Sequence, residues 1–272
     1  MTLRLSPTVD GNPQGETLLF IQGWPDNASL WDEAVAALGA TYRCVRVTMP
    51  NFDGARSVRA GHTTEEIIDA LVEVLRESAK NGPVTLVLHD WGCYWGHPVH
   101  HRCPELVSRV VGLDIAPHFK PSIGGALGII AYQSWLFWAF TFGGPLGDGM
   151  TRLSAKVLKV PDASTRPLTA WMNYPYRNVW ADLFSGRAEK LTNGYWPTCP
   201  ILFLYGEKKP FAFHSAKWVE HVKSVKGGEV SAVPADHWLM KDPSFVDRLV
   251  RWLDATRDVS ASPSARATSA SS

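Results

Sequence analysis

The sequence predicts an α/β protein built on a mostly parallel central sheet flanked by helices. Three observations predict it. Short apolar runs rich in β-branched residues recur along the chain. Helical patterns of period 3.6 alternate with them. The runs are near-continuous rather than alternating polar and apolar, as strands covered on both faces require.

The elements follow in order. TLLFIQ (17–22) and YRCVRVTM (42–49) are the first strand runs, separated by the helical SLWDEAVAAL (29–38). TTEEIIDALVEVLRESA (63–79) is an amphipathic helix opened by a capping box, Thr63 with Glu66 three residues on. VTLVLH (84–89) and RVVGLDIA (109–116) are strands, with a helical reading of PELVSRV (104–110) before the second. PILFLY (200–205) and EVSAVP (229–234) are the last strands, followed by the helical AFHSAKWVEHV (212–222) and SFVDRLVRWLDA (244–255).

The alternation breaks between 117 and 196, where the text is helical, aromatic and interrupted by Gly and Pro. That pattern predicts an insertion into a sheet domain. The expected organisation is a core first part (1–116), a helical cap (117–196) inserted after the strand ending near Ala116, and a core second part (197–256). The Ser/Ala-rich tail, 257–272, is expected to be disordered.

Composition narrows the function. Hydrophobic residues make up 45% and charged residues 19% of the 272, ordinary for a core-forming protein. A net charge of +1 carries no nucleic-acid or anionic-membrane footprint in the overall balance. Four cysteines, at 44, 93, 103 and 199, show neither a CxxC pair nor zinc spacing, and the histidines suggest no metal. With no signal-like start, a reducing, cytoplasmic compartment is expected. No charged residue occurs between Lys120 and Asp148. The 121–147 stretch is long enough to span a membrane. Its interruptions at Gly124, Gly125, Gly128, Gly143, Gly144 and Pro145 and the lack of a flanking basic cluster favour a buried helical segment, with membrane contact left open.

The chemistry centres on VTLVLHDWGCYW (84–95), where a carboxylate ends a buried strand. Burying an ionised Asp costs several kcal/mol unless the charge is compensated or used. Asp90 lies at the carboxyl end of its strand, where open parallel sheets bind ligands. Gly92 suits a sharp strand-to-helix turn, the nucleophile-elbow pattern with Asp for Ser and Leu88 for the leading Gly. QGWPD (22–26) follows the first long strand and can present a backbone N–H to the same pocket. PADHWLMKDP (234–243) follows the last strand and puts His237 where a histidine would reach Asp90.

On QGWPD, HDWG and the late DHW, the chain resembles α/β-hydrolase fold proteins of the Asp-nucleophile branch, the epoxide hydrolases and haloalkane dehalogenases. The resemblance covers about residues 15 to 255. Tyr132-Gln133 and Tyr176-Arg177-Asn178 resemble the surroundings of the two epoxide-polarising tyrosines, with Tyr174 the competitor for the second. The resemblance implies cofactor-independent hydrolysis of a small, apolar, epoxide-like substrate. In it Asp90 attacks carbon, His237 activates water, and the N–H groups of Trp91 and Trp24 hold the oxyanion.

The pattern departs in two places. Gln22 replaces the usual His before Gly23. In YGEKKPFAFHS, Lys208 and Lys209 stand where the histidine-orienting acid belongs. Asp114 and Glu207 are the alternative acids, while Asp236 reads as a solvated loop residue. The absent acid keeps a non-catalytic binder of small apolar ligands as an alternative, beside a haloalkane dehalogenase. His89 is expected to pack beside the elbow, and His97, His100 and His101 to lie on a helix surface.

Overall fold

The computed structural model describes residues 2–54, 58–118, 123–209 and 212–261. Every residue of β2 (Thr17–Ile21) and β4 (Val84–His89) is buried, so neither run alternates. They pair in parallel, Leu18 opposite Thr85 through Ile21 opposite Leu88. β3 (Arg43–Arg46) lies on the other side of β2, and β1 (Thr8–Gly11) closes that edge, antiparallel to β3. β5 (Val107–Leu113), β6 (Ile201–Gly206) and β7 (Glu229–Val233) extend the sheet from β4. The order is β1-β3-β2-β4-β5-β6-β7, parallel except for β1. This is the α/β-hydrolase arrangement that the sequence predicts.

The sheet is flanked by α1 (Asp32–Leu38), α2 (Thr64–Ser78) and α3 (Trp91–Arg102). In α2 the capping box forms: Thr63 Oγ1 accepts from Glu66 N–H at 3.2 Å, and Glu66 accepts from Thr63 N–H at 2.8 Å. Between β5 and β6 come α4 (Ile123–Phe142), α5 (Gly144–Val157), α6 (Tyr174–Phe184) and α7 (Arg187–Thr192). α8 (Ala216–Ser224), α9 (Phe245–Ala255) and α10 (Arg257–Ala261) follow. Among the described residues no helix is long and apolar enough to cross a membrane.

Some local expectations are corrected. PELVSRV is no helix: Pro104–Leu106 make a single 3-10 turn, and Val107 begins β5. The helix belongs to 91–102, where Pro98 sits inside it. β1 escaped notice because its four residues are mostly exposed and polar, with no apolar run to mark them. The 42–49 run pairs only over Arg43–Arg46. Residues 257–261, expected to be disordered, form α10, and 262–272 lie outside the described residues. His97 and His100 are buried, not on the surface: both ring Nδ1 atoms meet the Tyr195 hydroxyl, at 3.3 and 2.8 Å. α4 is not buried all round, since Leu127, Trp138 and Phe142 are each at least half exposed.

Candidate active site

Asp90 alone joins β4 to α3. Its φ of 53° and ψ of −124° are a strained conformation for a residue with a Cβ. Two glycines allow the sharp reversal. A Cβ on Gly92 would lie 2.0 Å from the Ile21 carbonyl oxygen, and one on Gly23 would lie 2.3 Å from Asp90 Oδ2. The end of β2, the 23–26 turn and the elbow therefore approach more closely than any side chain permits.

That approach supplies donors. Trp24 N–H donates to Asp90 Oδ2 at 2.8 Å. The backbone nitrogen of Trp91, first residue of α3, lines the same point, 2.4 Å from where a Gly23 Cβ would stand. The amino end of the twelve-residue α3 adds positive potential beside the carboxylate.

His237 lies in the loop after β7. Its Nε2 is 3.4 Å from Asp90 Oδ1, and its Nδ1 is 2.5 Å from Asp114 Oδ2. His89, packed 4.6 Å away ring to ring, meets the His237 carbonyl through Nε2 at 2.9 Å. Burial alone would lower the imidazole pKa. Hydrogen bonds and charge from Asp114 and Asp90 overcome it and push His237 up to about 10.

Asp114 follows β5 by one residue, in a left-handed conformation at φ 73°. It is wholly buried and accepts from Gly206 N–H at 3.1 Å. The Lys209 ammonium also donates to its Oδ1. Burial would raise this carboxyl, but His237 and Lys209 outweigh it and hold the pKa at about 2. Of the two alternatives left by the sequence, Asp114 meets the imidazole, and Glu207 is exposed. Asp236 is exposed too, its carboxylate accepting from Trp238 N–H at 3.0 Å. Lys209 does not simply oppose a charged His237, because the Asp114 carboxylate stands between them.

From α4 and α6 come Tyr132 and Tyr176, whose hydroxyls hydrogen-bond each other. Both rings stand edge-on to Trp24, with centroids 6.4 and 5.5 Å away. The Trp91 ring stands edge-on to Tyr176, with centroids 5.1 Å apart. Burial first, then the Asp90 charge for Tyr132 and the Tyr132 and Asp90 charges for Tyr176, raises both phenols well above their usual range, so both keep their protons. Tyr174 packs elsewhere, its ring 5.8 Å from Phe52 and its Cβ over Gly61.

Other contributors carry weaker signals or none. Asp26, the last residue of QGWPD, is buried and accepts from the Trp238 indole at 2.8 Å and from Arg166 at 2.9 Å. It ties the 23–26 turn to the insert and to the loop carrying His237. The Trp24 indole donates to Asn173 Oδ1 at 2.8 Å, and Asn173 donates in turn to Thr151 at 2.7 Å. Nothing in the sequence marks Asn173 or Arg166, and Trp238, though it closes the DHW motif, gives no sign there of its bond to Asp26. The Gln22 amide is fully buried with no protein partner among the described residues. A shallow surface hollow of about 480 Å³, apart from the site residues, lies beside α4 between Phe137, Phe140 and Trp171 and the guanidiniums of Arg59 and Arg177. Among the described residues no cluster of His, Cys, Asp or Glu has a metal-holding arrangement.

A strand-end carboxylate, a backbone donor and an imidazole braced by a second carboxylate define the class of a hydrolase-like enzyme. The chain belongs to the alpha/beta hydrolase family, whose model matches residues 18–249. Over 288 aligned residues it is 25% identical to epoxide hydrolase 3 of Xenopus tropicalis, covering 92% of this chain and 74% of that one. It is 32% identical over 93 residues to the probable oxidoreductase EphD of Mycobacterium tuberculosis, 33% of this chain but only 16% of that protein's length. A solved Pseudomonas aeruginosa protein assigned as an epoxide hydrolase superposes with a TM-score of 0.67 at 18% identity, covering 94% and 93% of the two chains. A haloalkane dehalogenase loop variant from Bradyrhizobium elkanii superposes at 0.68 and 16% identity, covering 96% and 97%.

Proposed function

We propose that this hydrolase opens small apolar epoxides to vicinal diols through an ester on Asp90, without a cofactor. The meeting of the Tyr132 and Tyr176 hydroxyls beside the carboxylate carries the reading. An epoxide oxygen needs proton donors as its C–O bond breaks, and two buried, protonated phenols are such donors. In this reading the 117–196 insert acts as the cap that brings them over the elbow.

In the first step an Asp90 oxygen attacks a ring carbon and the ring C–O bond breaks. A tyrosine proton passes to the epoxide oxygen, leaving a hydroxyalkyl ester. In the second, His237 takes a proton from water, and the hydroxide formed attacks the Asp90 carbonyl carbon. The adduct collapses with cleavage of the acyl C–O bond. The departing alkoxide takes the proton from His237 and leaves as diol, and the remaining acid proton returns to the tyrosinate, restoring the Asp90 carboxylate. The N–H groups of Trp24 and Trp91 hold the developing oxyanion. Losing one such donor in a well-studied protease costs about 10²–10³ in rate. Asp114 orients the imidazole and stabilises its charged form.

Two observations weigh against the other readings. A halide needs free N–H donors, but the Trp24 indole is engaged with Asn173. A non-catalytic binder rested on the absence of an orienting acid, and Asp114 contacts the imidazole.

The test is single-turnover hydrolysis of an aryl or alkyl epoxide in heavy-oxygen water. The first diol should carry unlabelled oxygen, taken from Asp90. His237→Gln should accumulate the ester by intact mass, and Asp90→Asn should form none. Solvent label in the first-cycle product overturns the mechanism.

A further inference from the structure

α4 has two unlike faces. Tyr132, Leu136 and Ala139 turn inward. Leu127, Ile130, Trp135, Trp138 and Phe142 turn outward, at steps of three, five, three and four residues that keep them on one broad side of the helix. Gly143 reverses the chain at φ 61°, and α5 returns alongside, its Gly147 against the Ala139 carbonyl. Leu146, Leu153 and Val157 of α5 are exposed as well, at 63%, 51% and 69%. The Trp135 indole donates to the Met150 carbonyl at 3.3 Å, joining the two stripes. An exposed apolar surface of this extent marks an interaction site.

Charge identifies what it meets. α4 holds no charged residue. Arg152 and Lys156 line the opposite flank of the exposed side of α5, and Lys159 follows its end. All three are exposed and make no ion pair among the described residues. The one carboxylate in residues 123–159, Asp148, accepts from the Ala170 N–H at 2.7 Å. The next acid, Asp162, lies beyond the helix end. A second copy brought against this face by two-fold symmetry would bring the same cations and no complementary carboxylate within the hairpin. An anionic lipid leaflet supplies the complement, and tryptophans beside an apolar stripe with a basic edge suit the headgroup boundary.

We propose that the outer face of the α4–α5 hairpin docks on an anionic membrane surface, lying in the headgroup plane without crossing it. This stands independently of the reaction on Asp90. The helix that would meet lipid also carries Tyr132 on its inward side, so docking would set the candidate site about one helix diameter, roughly 10 Å, from the bilayer.

Vesicle flotation of the full chain tests it, using phosphatidylcholine alone and phosphatidylcholine mixed with phosphatidylglycerol. The protein should float with the mixed vesicles and be released by high salt. A cation near an anionic leaflet contributes about fivefold in binding, so Arg152→Glu/Lys156→Glu should weaken flotation by about thirtyfold or more. Trp138→Asp should also weaken it. If that variant melts early, the exposed charge pair decides alone. Three results overturn the proposal: no flotation with either vesicle, flotation indifferent to lipid charge and to the charge variants, or self-association in sedimentation abolished by Trp138→Asp without lipid binding.

Discussion

Replacing Lys209 by Met removes one charge from the candidate site and keeps an unbranched stem. In the resting site His237 stands between two carboxylates, 2.5 and 3.4 Å away, and its pKa is pushed up to about 10. An imidazole protonated to that pH takes no proton from water at neutrality. In the proposed reaction, ester formation neutralises Asp90 and removes one of the two carboxylates. The other, Asp114, remains, and the Lys209 ammonium on its far oxygen offsets it. Two like charges about 6 Å apart across a carboxylate, at an effective dielectric of about 20, repel by about 3 kcal/mol, or about two pH units. Lys209→Met should therefore move the rising limb of the ester-hydrolysis rate about two units up in pH. Near neutrality that step should slow by up to about a hundredfold, and the ester should accumulate. Removing one partner of a buried pair also costs about 3–5 kcal/mol in stability. The Gly206 and His237 contacts to Asp114 should hold the loss to the lower end. Rapid-quench turnover across pH, with intact mass to follow the ester, measures both limbs. Lys209→Arg keeps the charge and should leave the limb in place. A pH profile unmoved in Lys209→Met, or moved equally in Lys209→Arg, refutes the electrostatic reasoning.

Three further predictions follow from the same contacts. Tyr176→Phe and Tyr132→Phe should each slow ring opening by about 10²–10⁴ while leaving hydrolysis of preformed ester unchanged, as burst kinetics would separate. Gly92→Ala places a Cβ 2.0 Å from the Ile21 carbonyl oxygen, so its urea midpoint should fall by the equivalent of at least about 1–3 kcal/mol. Stability should peak near pH 6.5. Burial lowers His89 and His100 to about 4 and His97 to about 3, so the unfolded chain binds more protons below 6.5 and stability is lost as pH falls. His237, raised to about 10, binds its proton more tightly when folded, so its contribution is full below 6.5 and is lost as pH rises through 10. His237→Gln should flatten the alkaline side of a urea-midpoint profile and leave the acid side.

Legibility followed the range of the signal. Asp90, Trp91, Trp24 and His237 stand in short motifs at strand ends, and Tyr132 and Tyr176 in recognisable surroundings, so each was a candidate before any geometry. Asp114 was only one of two alternatives, because its contact with His237 joins residues 123 apart. The Lys209 contact with it spans 95, and the text around Lys209 reads as a missing acid when only near neighbours are considered. His97 and His100 look like surface residues on a polar helix end. Tyr195, 98 and 95 residues on, covers them and accommodates both rings.

Local pattern thus determined much of this protein by itself. Strands buried on both faces need continuous apolar runs, and a capped helix needs its box, so the α/β architecture is written within windows of about twenty residues. Tertiary structure alone decided which carboxylate braces His237, what Lys209 touches, and which side of the charge-free helix meets solvent. These are matters of distance between residues far apart in sequence, set by how β5, β6 and the loop after β7 come together, and electrostatic energy depends on that distance rather than on residue type.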